Sequence, residues 1–268
     1  MNNKEQVQET MVEGFWRQFF TEGPPKEKVR RKHFYRHLPS ETRCKWCLAP
    51  FEGVSGLIAK NIFKTFPSRY NPNYCNVCDD FANKYQGGAE IPLTMLFADI
   101  RGSSELAEQI GPKEFSELIN RFFIKSTFVL TGFGAMIEKL VGDEVTAVFS
   151  SGLSGKNYFA RAIEAAKKLL LDTGHKDDLG PWVSVGVGIH SGESFLGSVG
   201  MPNGVMEVAA LGDVPNTASR LAAEAGPGEI LVSEQTILAA KLDTTGLEKR
   251  KLVLKGHSKN ITAYVLHA

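Results

Sequence analysis

At 268 residues and 29.4 kDa, with 43% hydrophobic residues, the chain has enough apolar material for one large domain with a smaller module attached. Its 31 Lys and Arg against 30 Asp and Glu leave a net charge of +1, so no whole-molecule field favours nucleic acid or an anionic membrane. The first eight residues are polar and the apolar runs fall short of the ~20 residues a spanning helix needs, so neither a secretory leader nor a membrane span is expected, and the expected setting is cytoplasmic.

Val7, Met11, Val12, Phe15, Trp16, Phe19 and Phe20 recur at helical spacing, which predicts an amphipathic helix over 4–20, ended by Gly23-Pro24-Pro25. Its stripe needs a cover, either the chain's own body or a second subunit; the acidic polar face argues against a membrane surface. Residues 26–37 are basic (Lys26, Lys28, Arg30, Arg31, Lys32, Arg36) and interleaved with His33, Phe34 and Tyr35. We read them as a solvated charged face rather than a nucleic-acid contact. The first segment is therefore 1–37.

The next, 38–88, holds all four cysteines as two Cys-x-x-Cys pairs, Cys44/Cys47 and Cys75/Cys78, with 27 residues between the pairs. In a reducing compartment this spacing favours a four-thiolate metal site over disulfides. Zn²⁺ is the default ion and an iron–sulfur cluster the alternative. A structural zinc could supply roughly 10–16 kcal/mol, enough to fold a short segment of weak periodicity. Trp46, Phe51, Phe63 and Phe66 are expected to form the module's core, and Gln86-Gly87-Gly88 a linker.

From residue 89 to 268 strands and helices alternate. A buried strand is predicted over 91–100, a short helix over 104–110 ended by Gly111-Pro112, and a longer helix over 113–130. Strands over 135–140 and 145–149 are joined by a tight turn at Gly142-Asp143. A helix over 158–171, a strand over 183–189, a glycine-rich stretch over 192–212, a helix starting near Asn216, and strands near 230–232, 250–254 and 261–266 follow. The pattern is α/β in content, with a hairpin in its middle. A mixed, mainly antiparallel sheet with helices packed on it is therefore the expected fold. No Gly-x-x-x-x-Gly-Lys-Ser/Thr loop occurs, which excludes a P-loop enzyme.

Asp99 stands near the end of the first of these strands and Asp143 in the hairpin turn. If the hairpin pairs beside that strand the carboxylates converge, and at ~4 Å their repulsion is about 4 kcal/mol at an effective dielectric near 20. Such a pair wants a cation; hard oxygen donors beside phosphates select Mg²⁺ or Mn²⁺, and two such ions can hold a triphosphate. Arg101 to Ser104, between strand and helix, offers backbone N–H groups and a helix N-terminus to phosphate, through Gly102, Ser103 and Ser104.

Three ordered motifs, Leu96-Phe-Ala-Asp-Ile-Arg-Gly-Ser103, Lys139-Leu-Val-Gly-Asp143 and Leu211-Gly-Asp-Val-Pro-Asn-Thr-Ala-Ser-Arg-Leu221, resemble the class III adenylate/guanylate cyclase catalytic domain. The resemblance covers about 89–268 and implies a ferredoxin-like core. It further implies that Asp99, Asp143 and the backbone carbonyl of Ile100 hold two Mg²⁺ or Mn²⁺ per site, and that Asn216 and Arg220 orient the ribose and stabilise charge on the α-phosphoryl group. Lys139 matches the base-contacting lysine of adenylate cyclases. Lys255 is similar to the lysine that reaches the triphosphate, with an ordinary surface lysine as the plain alternative.

The family places these sets on opposite chains, so a homodimer with composite sites is implied, turning ATP into 3′,5′-cyclic AMP and pyrophosphate. Ala209 stands where the second base-contacting residue is usually Asp or Thr. It cannot hydrogen-bond a base, so GTP or a pyrimidine triphosphate stays open, as does a catalytically weak nucleotide-sensing protein. Pro215 replaces a more usual Val, in a first helical turn that accommodates proline. Gly142-Asp143-Glu144 also resembles part of the diguanylate cyclase signature, in which Asn216 and Arg220 have no place.

Overall fold

The computed structural model describes residues 3–201, 204–253 and 260–268. In chain order the elements are α1 (Asn3–Thr21), α2 (Lys26–His37), α3 (Gly53–Asn61), α4 (Asn76–Lys84), β1 (Gly87–Ile100), α5 (Ser103–Gly132), β2 (Met136–Val141), β3 (Glu144–Phe149), α6 (Ser151–Ser154), α7 (Tyr158–Asp172), β4 (Val185–Gly200), β5 (Met206–Leu211), α8 (Asp213–Glu224), β6 (Ile230–Ser233), α9 (Glu234–Ala240), β7 (Lys249–Leu252) and β8 (Ile261–Leu266). Two compact units emerge, one of residues 1–91 with 195–211 and the other of 92–194 with 212–268. β1 and β4 each contribute to both.

The second unit carries the sheet in the order β2-β3-β1-β4-β6-β8-β7. β1 pairs antiparallel with β3, from Thr94↔Phe149 to Asp99↔Glu144, and β4 pairs parallel with β6. The mixed, mainly antiparallel sheet expected from the hairpin is thus present. β1 is buried without interruption from Leu93 to Ala98, as a central strand covered on both faces should be. Its cover includes α7, whose Ala162, Ile163, Ala166, Leu169 and Leu170 recur at helical spacing and lie in the core. The predicted break at Gly111-Pro112 is real: α5 continues past it, but Gly111 leaves helical geometry at φ 80, ψ 164.

β4 runs through the strand expected over 183–189 and on into the glycine-rich stretch as far as Gly200. A Cβ at Gly188 would lie 2.2 Å from the nitrogen of Ala222 and 2.3 Å from the carbonyl oxygen of Ala218, both on α8. Glycine is required there because the helix backbone rests directly on the strand.

In the first unit the α1 stripe packs on the chain's own body. Trp16 and Phe20 are fully buried, Trp16 meets Phe81 edge-on at 5.5 Å, and its indole N–H donates to the Tyr85 carbonyl at 2.8 Å. Met11, counted in the stripe, is instead 70% exposed. The basic segment is a helix, α2, and at its C-terminal end the carbonyls of Tyr35 and of Leu38, the residue after the helix, accept from the Arg43 guanidinium. Trp46 is buried in the aromatic cluster as expected, but Phe66 is 40% exposed and no core residue. Gly87 and Gly88 are no linker: β1 begins there, and a Cβ at Gly88 would strike the Leu196 carbonyl oxygen at 2.5 Å. β5 pairs antiparallel with the far half of β4, from Phe195↔Leu211 to Gly200↔Met206.

Candidate active site and cysteine cluster

The β1–β3 pairing meets the condition set for the carboxylates. Asp99 lies opposite Glu144, and the N–H of Ile100 donates to the carbonyl of Asp143 at 3.3 Å. Asp99 and Asp143 therefore stand at adjoining ends of neighbouring strands, both part-exposed. Acid is concentrated further by Glu138, which is buried and accepts from the Thr146 hydroxyl at 3.0 Å. Burial raises the pKa of Glu144, and the charges of Asp143 and Glu138 raise it further. The carboxylates at this edge thus repel one another, and their oxygens are the hard donors a divalent cation takes.

A protein cation already answers part of that field. The Arg101 guanidinium pairs with Asp99 and donates to the Ala223 carbonyl at 3.2 Å, while its Nε is buried without a partner. Burial lowers its pKa, opposed by Asp143 and Glu144. The sequence pattern gives Arg101 only a backbone role; the signal for its side chain is a cation two positions beyond Asp99, at the strand end. The N–H of Arg101 is committed to the Ser184 carbonyl at 2.9 Å, so the expected phosphate-facing run of amides loses its first member. Gly102, Ser103 and Ser104 follow at the start of α5, with Gly102 in the left-handed region at φ 67.

Asn216 and Arg220 lie one turn apart on α8. That helix buries Val214, Thr217, Ala218, Leu221 and Ala222, which leaves Asn216 exposed and Arg220 part-exposed on the other side. Lys139 follows a register shift in β2 between Ile137 and Lys139. Its N–H donates to Thr146 Oγ1 at 3.0 Å, and its half-exposed ammonium lies 3.6 Å from the Glu138 carboxylate. Ala209 is on β5 and 6% exposed. Lys255 lies outside the described residues.

The family model for the adenylate and guanylate cyclase catalytic domain matches residues 89–268. The chain belongs to that family. It is 32% identical over 135 residues to an adenylate cyclase of Anabaena cylindrica, covering 48% of this chain and 26% of that protein. It is 31% identical over 142 residues to the terminal-differentiation-specific adenylate cyclase of Dictyostelium discoideum, covering 52% of this chain and 7% of that one. The chain thus spans about a quarter or less of these relatives. The guanylyl cyclase Cya2 has the same fold at TM-score 0.60 and 24% identity, covering 67% of this chain and 93% of its own. The adenylyl cyclase CyaB from P. aeruginosa follows at TM-score 0.57 and 25% identity, covering 68% and 96%. The cyclase family acts on nucleoside triphosphates with divalent cations, and the oxygen donors of Asp99 and Asp143 fit such ions.

The cysteines of the cyclase chain also converge. The ligand atoms of Cys44, Cys47, Cys75 and Cys78 all lie within 4.8 Å of one another, with Cys47 and Cys75 sulfurs 3.6 Å apart. All four are free thiols, and the arrangement could bind a metal. Burial pushes the Cys44 thiol up, but hydrogen bonds from Cys47, Cys75 and Cys78 outweigh it and hold its pKa well below the ordinary value. No helix of the described residues is long and apolar enough to cross a membrane.

Proposed function

We propose that the chain is an adenylate cyclase, forming 3′,5′-cyclic AMP and pyrophosphate from ATP in a homodimer with two composite sites. The observation that supports it most directly is the abutment of Asp99 and Asp143 at one strand edge, within a domain whose helix α8 turns Asn216 and Arg220 away from the core. Asp99, Asp143 and the Ile100 carbonyl would hold two Mg²⁺ or Mn²⁺, which when bound polarise the ribose 3′-hydroxyl and neutralise the triphosphate.

The protein's own part is positioning and charge. In this reading Asn216 orients the ribose, and Arg220 meets the negative charge that builds on the α-phosphoryl oxygens as the 3′-oxygen attacks in line and pyrophosphate departs. In this reading the amides of Gly102, Ser103 and Ser104 at the start of α5 serve the phosphates, with Lys255 as a further contact. Asn216 and Arg220 serve the aspartates of the other subunit, for which their exposure leaves them free.

Lys139 is assigned to the base and favours adenine; Ala209 supplies no second polar contact. That loss weakens discrimination by about 1–3 kcal/mol, so GTP is the expected secondary substrate. Residues 1–37 and 38–88 would form a regulatory, metal-bearing segment ahead of the catalytic domain, in a cytoplasmic protein.

The test is to incubate the purified chain with Mn²⁺ or Mg²⁺ and each of ATP, GTP, CTP and UTP, and to identify the products. Cyclic AMP formed fastest supports the reading; no cyclic product with either ion refutes it. Arg220→Ala should lower turnover on the order of 10²–10³-fold with the protein still folded.

A further inference from the structure

The cysteine cluster is connected, through side chains within one compact unit, to the strand that carries Ala209. Cys44 and Cys47 bracket Lys45 and Trp46, and Tyr74 immediately precedes Cys75. The Lys45 ammonium pairs with Glu207 Oε2 at 3.0 Å, and the Tyr74 hydroxyl donates to the same oxygen at 3.2 Å. The Asn71 amide donates to Glu207 Oε1 at 3.0 Å and to the Met206 carbonyl at 2.8 Å. The Tyr74 oxygen accepts from the N–H of Val208 at 3.1 Å. Nearby, Ser198 on β4 donates to the Ala82 carbonyl at 2.7 Å. Residues that flank two of the four cysteines therefore clasp β5 on either side of Glu207, and Glu207 shares a strand face with Ala209 two positions on.

The spacing of the sulfurs bears on what they hold. Four sulfurs each ~2.3 Å from a single tetrahedral zinc lie about 3.8 Å from one another. Sulfurs 3.6 Å apart in one pair, and all within 4.8 Å, match one ion. A four-iron cluster places its own body between the sulfurs and spreads them further. The backbone is also strained in the manner of a metal turn: Leu48, directly after Cys47, is buried yet adopts φ 65, a left-handed conformation that a branched apolar residue rarely takes. The Cys44 N–H donates to the Ala49 carbonyl at 2.9 Å and closes that turn.

We propose that Cys44, Cys47, Cys75 and Cys78 form a site for one Zn²⁺, and that zinc occupancy is transmitted to β5 through the clasp of Lys45, Asn71 and Tyr74 on Glu207. Zinc fixes the two cysteine turns; the turns fix Lys45 and Tyr74; these hold the edge of β5 and so the position of Ala209. The role of Ala209 rests on the proposed cyclase function, whereas the zinc site and the clasp do not.

The experiment uses the full chain. Metal analysis of the purified protein should give about one zinc per chain and no visible absorption; iron with a visible spectrum, or no metal, overturns the zinc site. Amide hydrogen exchange of 206–211 is then followed before and after stripping zinc with a thiol reagent and chelator, with β6 as internal reference. Exchange in 206–211 should rise at least tenfold while β6 stays within twofold. Glu207→Gln, which keeps all four cysteines, should retain its zinc and show the same selective rise. Unchanged exchange at 206–211 in both the stripped protein and Glu207→Gln overturns the clasp. Neither readout needs turnover, so a zinc-loaded chain with a responsive β5 but no cyclic product would refute the proposed activity and leave this inference standing.

Discussion

Replacing Gly188 by alanine tests whether α8 is positioned by direct backbone contact with β4. The added Cβ would sit 2.2 Å from Ala222 N, 2.3 Å from Ala218 O and 2.8 Å from Leu221 C. Carbon contacts are comfortable near 3.5 Å, so strand and helix must part by about 1 Å. None of the three atoms is the end of a flexible side chain, so the strain cannot be relieved locally. Overpacking of this kind costs about 1–3 kcal/mol, or roughly 2–12 °C in Tm at 2–4 °C per kcal/mol for a domain of this size. α8 carries Asn216 and Arg220, and a ~1 Å misplacement of reacting groups costs on the order of 10²-fold in rate. Differential scanning calorimetry and initial rates at saturating triphosphate with Mn²⁺ measure the two effects. Gly14→Ala is the control: nothing lies within 4 Å of its added Cβ, and a small gain of about 0.5–1 kcal/mol is expected. Gly188→Ala with an unchanged Tm and turnover within twofold of the parent would refute the reasoning.

Three further outcomes follow from particular contacts. His175 Nε2 accepts from the Val185 N–H at 3.2 Å, and burial, opposed by a bond to the Leu170 carbonyl, holds its pKa below the ordinary histidine value. The unfolded chain then binds the proton first, so the stability from neutral His175 is complete above about pH 6.5 and falls below it. The slope is at most about 1.4 kcal/mol per pH unit down to the folded pKa, and urea titrations of His175→Gln should show a flatter profile. Trp16→Ala should cost about 3–5 kcal/mol in the first unit by chemical denaturation, since a fully buried indole among Phe20, Trp46 and Phe81 is lost; a cost under 1 kcal/mol would mean α1 is not anchored there. Lys139→Glu should move the kcat/KM ratio of ATP to GTP toward GTP by tenfold or more, and an unmoved ratio would remove Lys139 from base recognition.

The catalytic half was legible where the local signal is strong. A run of apolar residues marked β1, Gly142-Asp143 marked the hairpin turn, and Gly111-Pro112 marked the break in α5. The glycine-rich stretch 192–212 shows no strand pattern in sequence, because glycine is a local signal for turns. Here Gly192 and Gly197 instead admit a neighbouring side chain or backbone at under 3 Å, a property of packing that propensity does not encode. α2 escaped notice because it is polar around most of its circumference. Glu207 escaped for another reason: its partner Lys45 lies 162 residues away in sequence. Metal-ligating cysteines carry a spacing rule; a carboxylate that ties two distant segments together carries none.

The long span between Lys45 and Glu207 has a consequence for the order of events in the cell. At roughly 5–20 residues per second, the 162 residues between them take about 8–32 s to synthesise. For most of that interval all four cysteines have been made while the strand that Lys45, Asn71 and Tyr74 grip does not yet exist. Newborn thiols therefore meet the metal and oxidant around them before the contacts to β5 are available, and those contacts form only when that strand arrives.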